Sequence, residues 1–370
     1  MTTVTELAAL SPEYVRGLSP YVPGKPIGEL AREYGLVEAN IVKLASNENP
    51  RGPSPRARKA IEDAIGDITR YPDGSGHELK SVLCTRYGVE RNQIVLGNGS
   101  NDVLELVTHA FLRPSDHAVY SQHAFAVYPL ATQARGALGI EVPARELGHD
   151  LDAMREAITP RTRIVFIANP NNPTGTWLPP ATIQAFIASV PPNVLVVLDE
   201  AYNEYLEASQ QANSVAWISE YPNLIISRTF SKAYGLAGLR VGFGLMDADV
   251  ADMLNRVRQP FNVSSVAQAA AIAALADTEY VAESAALNRA GLRELGHGLD
   301  ALGVEYVASH GNFLLVHVGA AGAVYEKLLR GGVIVRPVAN YGLPEHLRVT
   351  AGLPEENRRF LEALRFALGR

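Results

Sequence analysis

The chain has 370 residues, enough for two or three domains and a sizeable core. Hydrophobic residues make up 47% and charged residues 19%, which excludes a disordered chain and a coiled coil. With 33 basic against 39 acidic side chains and a net charge of -6, the basic excess of a nucleic-acid binder is missing, so an anionic ligand must be met by a few placed arginines.

The opening MTTVTELAAL has neither a basic leader segment nor an apolar one, and no apolar run approaches the roughly 18 residues that span a bilayer. The single cysteine, Cys84, rules out an internal disulfide and a zinc-knuckle framework. A soluble, cytoplasmic protein is expected. Pro20, Pro23, Gly24 and Pro26 mark residues 1–45 as an extended arm, placed to lie on other structure or to reach a neighbouring subunit. Ser54 as N-cap with Pro55 behind it opens a helix to about Ile65. A glycine-rich turn, Pro72 to Gly76, then leads into a helical run from His77 to Tyr87.

From there short β-branched runs alternate with helical stretches. Strands are expected at Gln93 to Leu96, Ala118 to Ser121, Arg163 to Ala168, Val194 to Leu198 and Leu224 to Ser227, with helices at Asn101 to Phe111 and near Val127 to Gln133. A continuous apolar run such as Val194 to Leu198 suits a strand buried on both faces, hence a mainly parallel sheet with helices on either side. An α/β domain over residues 46–260 follows. After Pro260 come an Ala-rich helical region, Val266 to Leu302, strands at Asn312 to Val318, Val333 to Val335 and His346 to Thr350, and a last helix from Glu355 to Leu368. This pattern predicts a smaller α+β domain over residues 261–370.

In sheets of this kind ligands collect beyond the carboxyl ends of the strands. After the first strand comes Gly97-Asn98-Gly99-Ser100-Asn101-Asp102, whose backbone N–H groups face whatever lies at the helix start, a seat for phosphate. A dinucleotide fold is the rival, but Asp102 stands where its third glycine belongs. A tight turn with a capping Asn or Ser is the plain structural alternative. After Ala168 an amide-rich loop follows, Asn169-Pro170-Asn171-Asn172-Pro173-Thr174-Gly175, which turn formers keep out of helix and strand. After Leu198 come Asp199, Glu200, Ala201 and Tyr202; a lone carboxylate there would ordinarily be a cap. After Ser227 comes Arg228-Thr229-Phe230-Ser231-Lys232, then small and apolar residues to Arg240. Burial among them would lower the pKa of Lys232 and free its amine for Schiff-base chemistry.

An amine nucleophile, a carboxylate, a phenol, an amide loop and a phosphate cradle on one sheet edge meet the needs of pyridoxal phosphate. The order N-P-T-G, D-E-A-Y and S-K-A-Y-G-L-A-G-L-R, with Leu44 to Pro50 and Tyr341 to Thr350, resembles the fold-type I aminotransferases of the histidinol-phosphate aminotransferase family. The likeness covers nearly the whole chain. It implies that Lys232 joins the cofactor's aldehyde and later acts as general base, that Asp199 pairs with the pyridinium nitrogen, and that Tyr202 and Asn172 bond the ring's O3′. By the same resemblance, Gly99, Ser100, Asn101, Thr229, Ser231 and Arg240 hold the phosphate and Phe125 stacks on the ring. Tyr71 matches a tyrosine that reaches the neighbouring subunit's phosphate, implying a homodimer with shared sites. Arg348, helped by Arg336, Tyr21 and Asn172, would bind the substrate's anionic end; for Arg336 a surface ion pair is the competing reading.

The activity so implied is ping-pong transfer of an amino group between histidinol phosphate and 2-oxoglutarate. An aromatic amino acid aminotransferase and, further off, a phospho-amino-acid decarboxylase are the alternatives. The nine histidines show no metal-ligand spacing, so no metal is expected.

Overall fold

A computed structural model describes residues 6–21 and 23–370. Its strands are β1 (Val42–Lys43), β2 (Ile94–Gly97), β3 (His117–Ser121), β4 (Leu138–Val142), β5 (Thr162–Ala168), β6 (Leu195–Asp199), β7 (Leu224–Thr229) and β8 (Gly242–Met246). They are followed by β9 (Tyr306–Val307), β10 (Phe313–His317), β11 (Val333–Ile334), β12 (Arg336–Pro337) and β13 (His346–Thr350). Seven of them form one sheet in the order β2-β8-β7-β6-β5-β3-β4. The strands from β3 to β7 run parallel, and β8 is antiparallel to both its neighbours. Along β6, Val196 and Leu198 enter one hydrophobic core while Leu195 and Val197 enter the other. That two-residue period is why the run carries no polar side chain: each face is covered by its own helical layer.

The expected helices form with small shifts at their ends. Ser54 caps Pro55–Ala64 by accepting from the Ala57 N–H at 3.1 Å, and His77–Tyr87, Ser100–Phe111 and Val127–Ala134 follow. The helices Leu151–Glu156, Pro180–Ser189 and Ala321–Arg330 were not foreseen, nor were β4 and β8. β4 is an edge strand whose Leu138 and Glu141 are exposed. β8 carries glycines at 242 and 244, which lower strand propensity. The fold needs the first of them, because a Cβ at Gly242 would lie 2.5 Å from the Ser100 nitrogen.

The second body has a four-stranded antiparallel sheet, β12-β13-β10-β9, and a parallel pair, β1-β11. Its core is closed by the helices Thr278–Ala301, Ala321–Arg330 and Pro354–Ala367. The segment before residue 45 is less extended than its prolines suggested. It forms the helices Glu6–Ala9, Glu13–Arg16 and Ile27–Tyr34, and the last buries Leu30 and Ala31 against Leu329 and Ile334. The helix Ser265–Ala276, expected beyond the boundary at 260, instead packs Ala267, Ala270, Ala271 and Ala274 into the core of the large sheet. Alanine lets it approach the helix Pro55–Ala64 closely. Among the described residues no helix is long and apolar enough to cross a membrane.

Candidate active site

A cavity of about 250 Å³ opens at the carboxyl ends of β5, β6 and β7, between the two bodies. Its wall includes Ser100, Asn101, Phe125, Asn172, Asp199, Tyr202, Thr229, Ser231, Lys232 and Arg240, together with Tyr21, Arg336 and Arg348. The sequence-predicted residues therefore converge, with two exceptions. Gly99 lies just behind the wall, at φ 82°, where an added Cβ would collide with the Arg240 guanidinium. Tyr71 lies outside the cavity, 83% exposed, with its ring stacked on Phe261 at 4.8 Å.

Lys232 is half-buried and donates to the Ser46 carbonyl at 3.1 Å. Burial first, and then the positive charge of Arg348, bring its pKa down to about 7, so the free amine is accessible near neutrality. Asp199 ends β6 and is buried; its Oδ2 accepts from Tyr128 Oη at 2.9 Å, while its Oδ1 is buried with no partner among the described residues. Burial pushes its pKa up to about 6 against the opposing hydrogen bond from Tyr128. An unpaired buried carboxylate oxygen is costly unless a donor arrives. Tyr202 is buried, and its Oη accepts from Asn47 Nδ2 at 2.8 Å; desolvation raises its pKa to about 12, so it stays a neutral phenol.

At the rim of β7 and the start of Ser100–Phe111, Arg240 donates through Nη1 to Ser231 Oγ at 3.3 Å, and Ser231 N donates to Thr229 Oγ1 at 3.1 Å. With the first N–H groups of the helix, these are the donor types that could hold a dianion. Asp102, where a dinucleotide fold would have glycine, accepts from Asn98 N at 2.8 Å and Asn262 Nδ2 at 2.7 Å. It holds the turn in place, and β2 pairs only with an antiparallel strand, so the dinucleotide reading falls.

Arg336 and Arg348 are cross-strand partners on β12 and β13, and each is only 6% exposed. Such burial removes the surface ion-pair reading of Arg336, whose guanidinium lies 5.5 Å from the Tyr21 ring. Arg348 donates to Asn172 Oδ1 at 2.6 Å and to the Ala45 carbonyl at 2.5 Å, and its Nε is buried without a partner among the described residues. Desolvation lowers its pKa from the ordinary arginine value. Two buried guanidiniums side by side repel each other, and an incoming anion relieves that repulsion.

This donor set fits pyridoxal phosphate: an amine for its aldehyde, an orphaned carboxylate oxygen for its ring N–H, a phenol for O3′ and a cradle for its phosphate. Phe125, edge-on to Tyr128 at 5.9 Å, supplies an apolar wall. Among the described residues no group of three His, Cys, Asp or Glu side chains could hold a metal ion.

Residues 39–364 match the family described as aminotransferase class I and II. The chain belongs to that family. Among its relatives is histidinol-phosphate aminotransferase 2 of Nitrosospira multiformis, 60% identical over 97% of this chain and 92% of the relative. Another is histidinol-phosphate aminotransferase of Methylobacillus flagellatus, 59% identical over 98% of each chain. A solved structure, the histidinol-phosphate aminotransferase of Sinorhizobium meliloti in complex with pyridoxal 5′-phosphate, superposes with a TM-score of 0.90 at 29% identity, over 98% of each chain. The fold of this aminotransferase is thus fold type I.

Three residues of the site were not singled out from sequence. Tyr128 holds Asp199, Ser46 meets Lys232, and Asn47 meets Tyr202. Tyr128 stands at the second position of the helix Val127–Ala134 and meets Asp199 across 71 residues of chain, a contact that no spacing in the sequence marks.

Proposed function

We propose that the chain is a pyridoxal-phosphate-dependent aminotransferase that transfers the amino group of histidinol phosphate to 2-oxoglutarate, giving imidazole-acetol phosphate and glutamate, as a step of histidine biosynthesis. The observation that carries this is Arg348: a buried guanidinium, its Nε unpartnered among the described residues, in the same cavity as the depressed amine of Lys232. A planar fork of donors suits the phosphate of one substrate and the distal carboxylate of the other, which a ping-pong enzyme must bind in turn. The names of relatives 60% identical along nearly the whole chain point the same way.

When bound, the cofactor offers an aldehyde for the amino group and a ring to take up the electron pair released at the substrate's Cα. Lys232 would hold that aldehyde between turnovers and then, as a neutral amine, take the proton from Cα and return it on the cofactor's side. Asp199, fixed by Tyr128, would hold the proton on the ring nitrogen. Tyr202 and Asn172 would donate to O3′, Phe125 would lie against the ring, and Gly99, Ser100, Asn101, Thr229, Ser231 and Arg240 would seat the phosphate. Arg336 and Tyr21 would close round the substrate's anion beside Arg348.

The exposed Tyr71–Phe261 pair supports a homodimer in which Tyr71 serves the partner's site. The chain divides into an arm (1–45), a large domain (46–260) and a small domain (261–370), with Ser265–Ala276 packed on the large one. A cytoplasmic location fits a biosynthetic role. The test is kcat/KM for histidinol phosphate and for phenylalanine as donors to 2-oxoglutarate with one preparation. Histidinol phosphate should lead; a faster reaction with phenylalanine, or carbon dioxide release without keto product, would replace this assignment.

A further inference from the structure

The run Leu44-Ala45-Ser46-Asn47-Glu48-Asn49-Pro50 contains an asparagine whose part in the site can be read from its hydrogen bonds. Asn47 is buried, 1% exposed, and its backbone is left-handed at φ 54°, a conformation asparagine tolerates better than most residues. Four bonds hold it. Its backbone N–H donates to Thr350 Oγ1 at 3.0 Å, and Thr350 Oγ1 donates to Asn47 Oδ1 at 3.1 Å. Asn312 Nδ2 donates to the Asn47 carbonyl at 3.0 Å, and Asn47 Nδ2 donates to Tyr202 Oη at 2.8 Å.

Proton counting fixes the direction of this chain. The Thr350 hydroxyl accepts from a backbone N–H, so its own single proton goes to Asn47 Oδ1. The carboxamide oxygen is thereby assigned to the threonine side and the NH2 to the tyrosine side. Turned the other way, the amide would leave the Thr350 proton buried with no acceptor and would claim the Tyr202 proton for itself. As it stands, Tyr202 Oη accepts from Asn47, and its phenol proton is left to be donated into the cavity.

We infer that Asn47 is a positioning residue: through the Thr350–Asn47–Tyr202 chain it compels the Tyr202 hydroxyl to act as a donor toward the cavity. This inference rests on the pyridoxal-phosphate reading, in which the acceptor is the ring oxygen O3′. The chain also ties the phenol to substrate binding. Thr350 and Arg348 lie two residues apart on β13, hence on one face of it, and each bonds a residue of the cavity wall, Thr350 to Asn47 and Arg348 to Asn172. The strand that would grip the substrate's anion therefore also sets the proton of Tyr202. Asn312, which immediately precedes β10, secures Asn47 to the neighbouring strand of the same sheet.

The test uses the cofactor's own visible absorbance in holoenzyme, titrated with pH in the absence of substrate. A phenol proton given to O3′ stabilises the oxygen's negative charge and so favours the unprotonated form of the cofactor–lysine linkage. Tyr202→Phe removes that donor and should move the titration midpoint up by about one pH unit. Asn47→Gly, neutral and compatible with φ 54°, and Thr350→Val, isosteric, should each move it in the same direction by a smaller amount. Thr350→Ser keeps the hydroxyl and should restore the wild-type midpoint. In the Tyr202→Phe background, Asn47→Gly and Thr350→Val should add nothing. Equal shifts with phenylalanine at 202 would overturn the inference, as would a Thr350→Ser midpoint equal to that of Thr350→Val. Wild-type protein that develops no visible band with pyridoxal phosphate would instead sink the cofactor reading, so the two failures are separable.

Discussion

Asp199→Asn in the apoprotein tests whether burial really holds a poised charge beneath the site. The carboxyl pKa rises from 3.8 to about 6 on folding. Between those values the folded chain keeps a proton that the unfolded chain has released, so folding stability falls as pH rises through the window and stays lower above it. A shift of about two units corresponds to roughly 3 kcal/mol of stability lost between about pH 4 and about pH 7. Asparagine cannot ionise, so the variant lacks this term. Its unpaired buried NH2 adds a fixed cost of roughly 1–3 kcal/mol that does not depend on pH. The assay is urea unfolding of both apoproteins across that range, read as the difference between the two stabilities. The difference should swing by about 3 kcal/mol in favour of the variant toward neutral pH. Parallel curves would show that Asp199 folds with an ordinary pKa, and the account of its unpaired oxygen as a waiting acceptor would fail. The variant should also bind the cofactor more weakly at neutral pH, where wild type offers an anion.

Capture of pyridoxal phosphate by the apoprotein needs the Lys232 amine unprotonated. Since its pKa is lowered to about 7, the initial capture rate should rise roughly tenfold per pH unit below that value and level off above it. A rise continuing toward pH 10 would show an ordinary surface-like lysine. Arg348→Ala should raise KM for both anionic substrates by roughly 10- to 100-fold while cofactor affinity stays within about twofold; loss of the cofactor instead would reassign the residue. Gly99→Ala places a Cβ against the Arg240 guanidinium at a left-handed position. It should weaken cofactor binding at least about tenfold in an equilibrium titration, and unchanged affinity would remove Arg240 from the phosphate seat.

What could be read from the sequence follows from how each feature is encoded. Val194 to Leu198 announced a doubly covered strand, and the residue after it had to stand at the sheet's carboxyl edge; Asp199 does. The same reasoning brought Asn172, Thr229, Ser231 and Lys232 to one cavity. β8 escaped notice because the approach of Ser100 and Arg228 requires glycine at 242, and that requirement erases the pattern by which strands are recognised. The arm misled in another way: its prolines flank the helix Ile27–Tyr34 instead of preventing it, with Pro26 as N-cap. Most of all, partners such as Tyr128 and Asn47 are defined by which side chain they meet across 71 and 155 residues of chain. No local pattern records such a meeting.

The pairing of β1 with β11 has a consequence for how the site can be divided. Ser46, whose carbonyl receives the Lys232 amine, follows closely on a strand stitched to the C-terminal body, though it precedes the whole seven-stranded sheet in sequence. A gene cut near residue 260 would thus yield two fragments that each lack part of the reaction chamber. The earlier one would retain the nucleophile but lose the template on which its facing wall is hung. Activity would return only on mixing the fragments, so the C-terminal body is a scaffold for residues 27–45 as much as a neighbour to the rest.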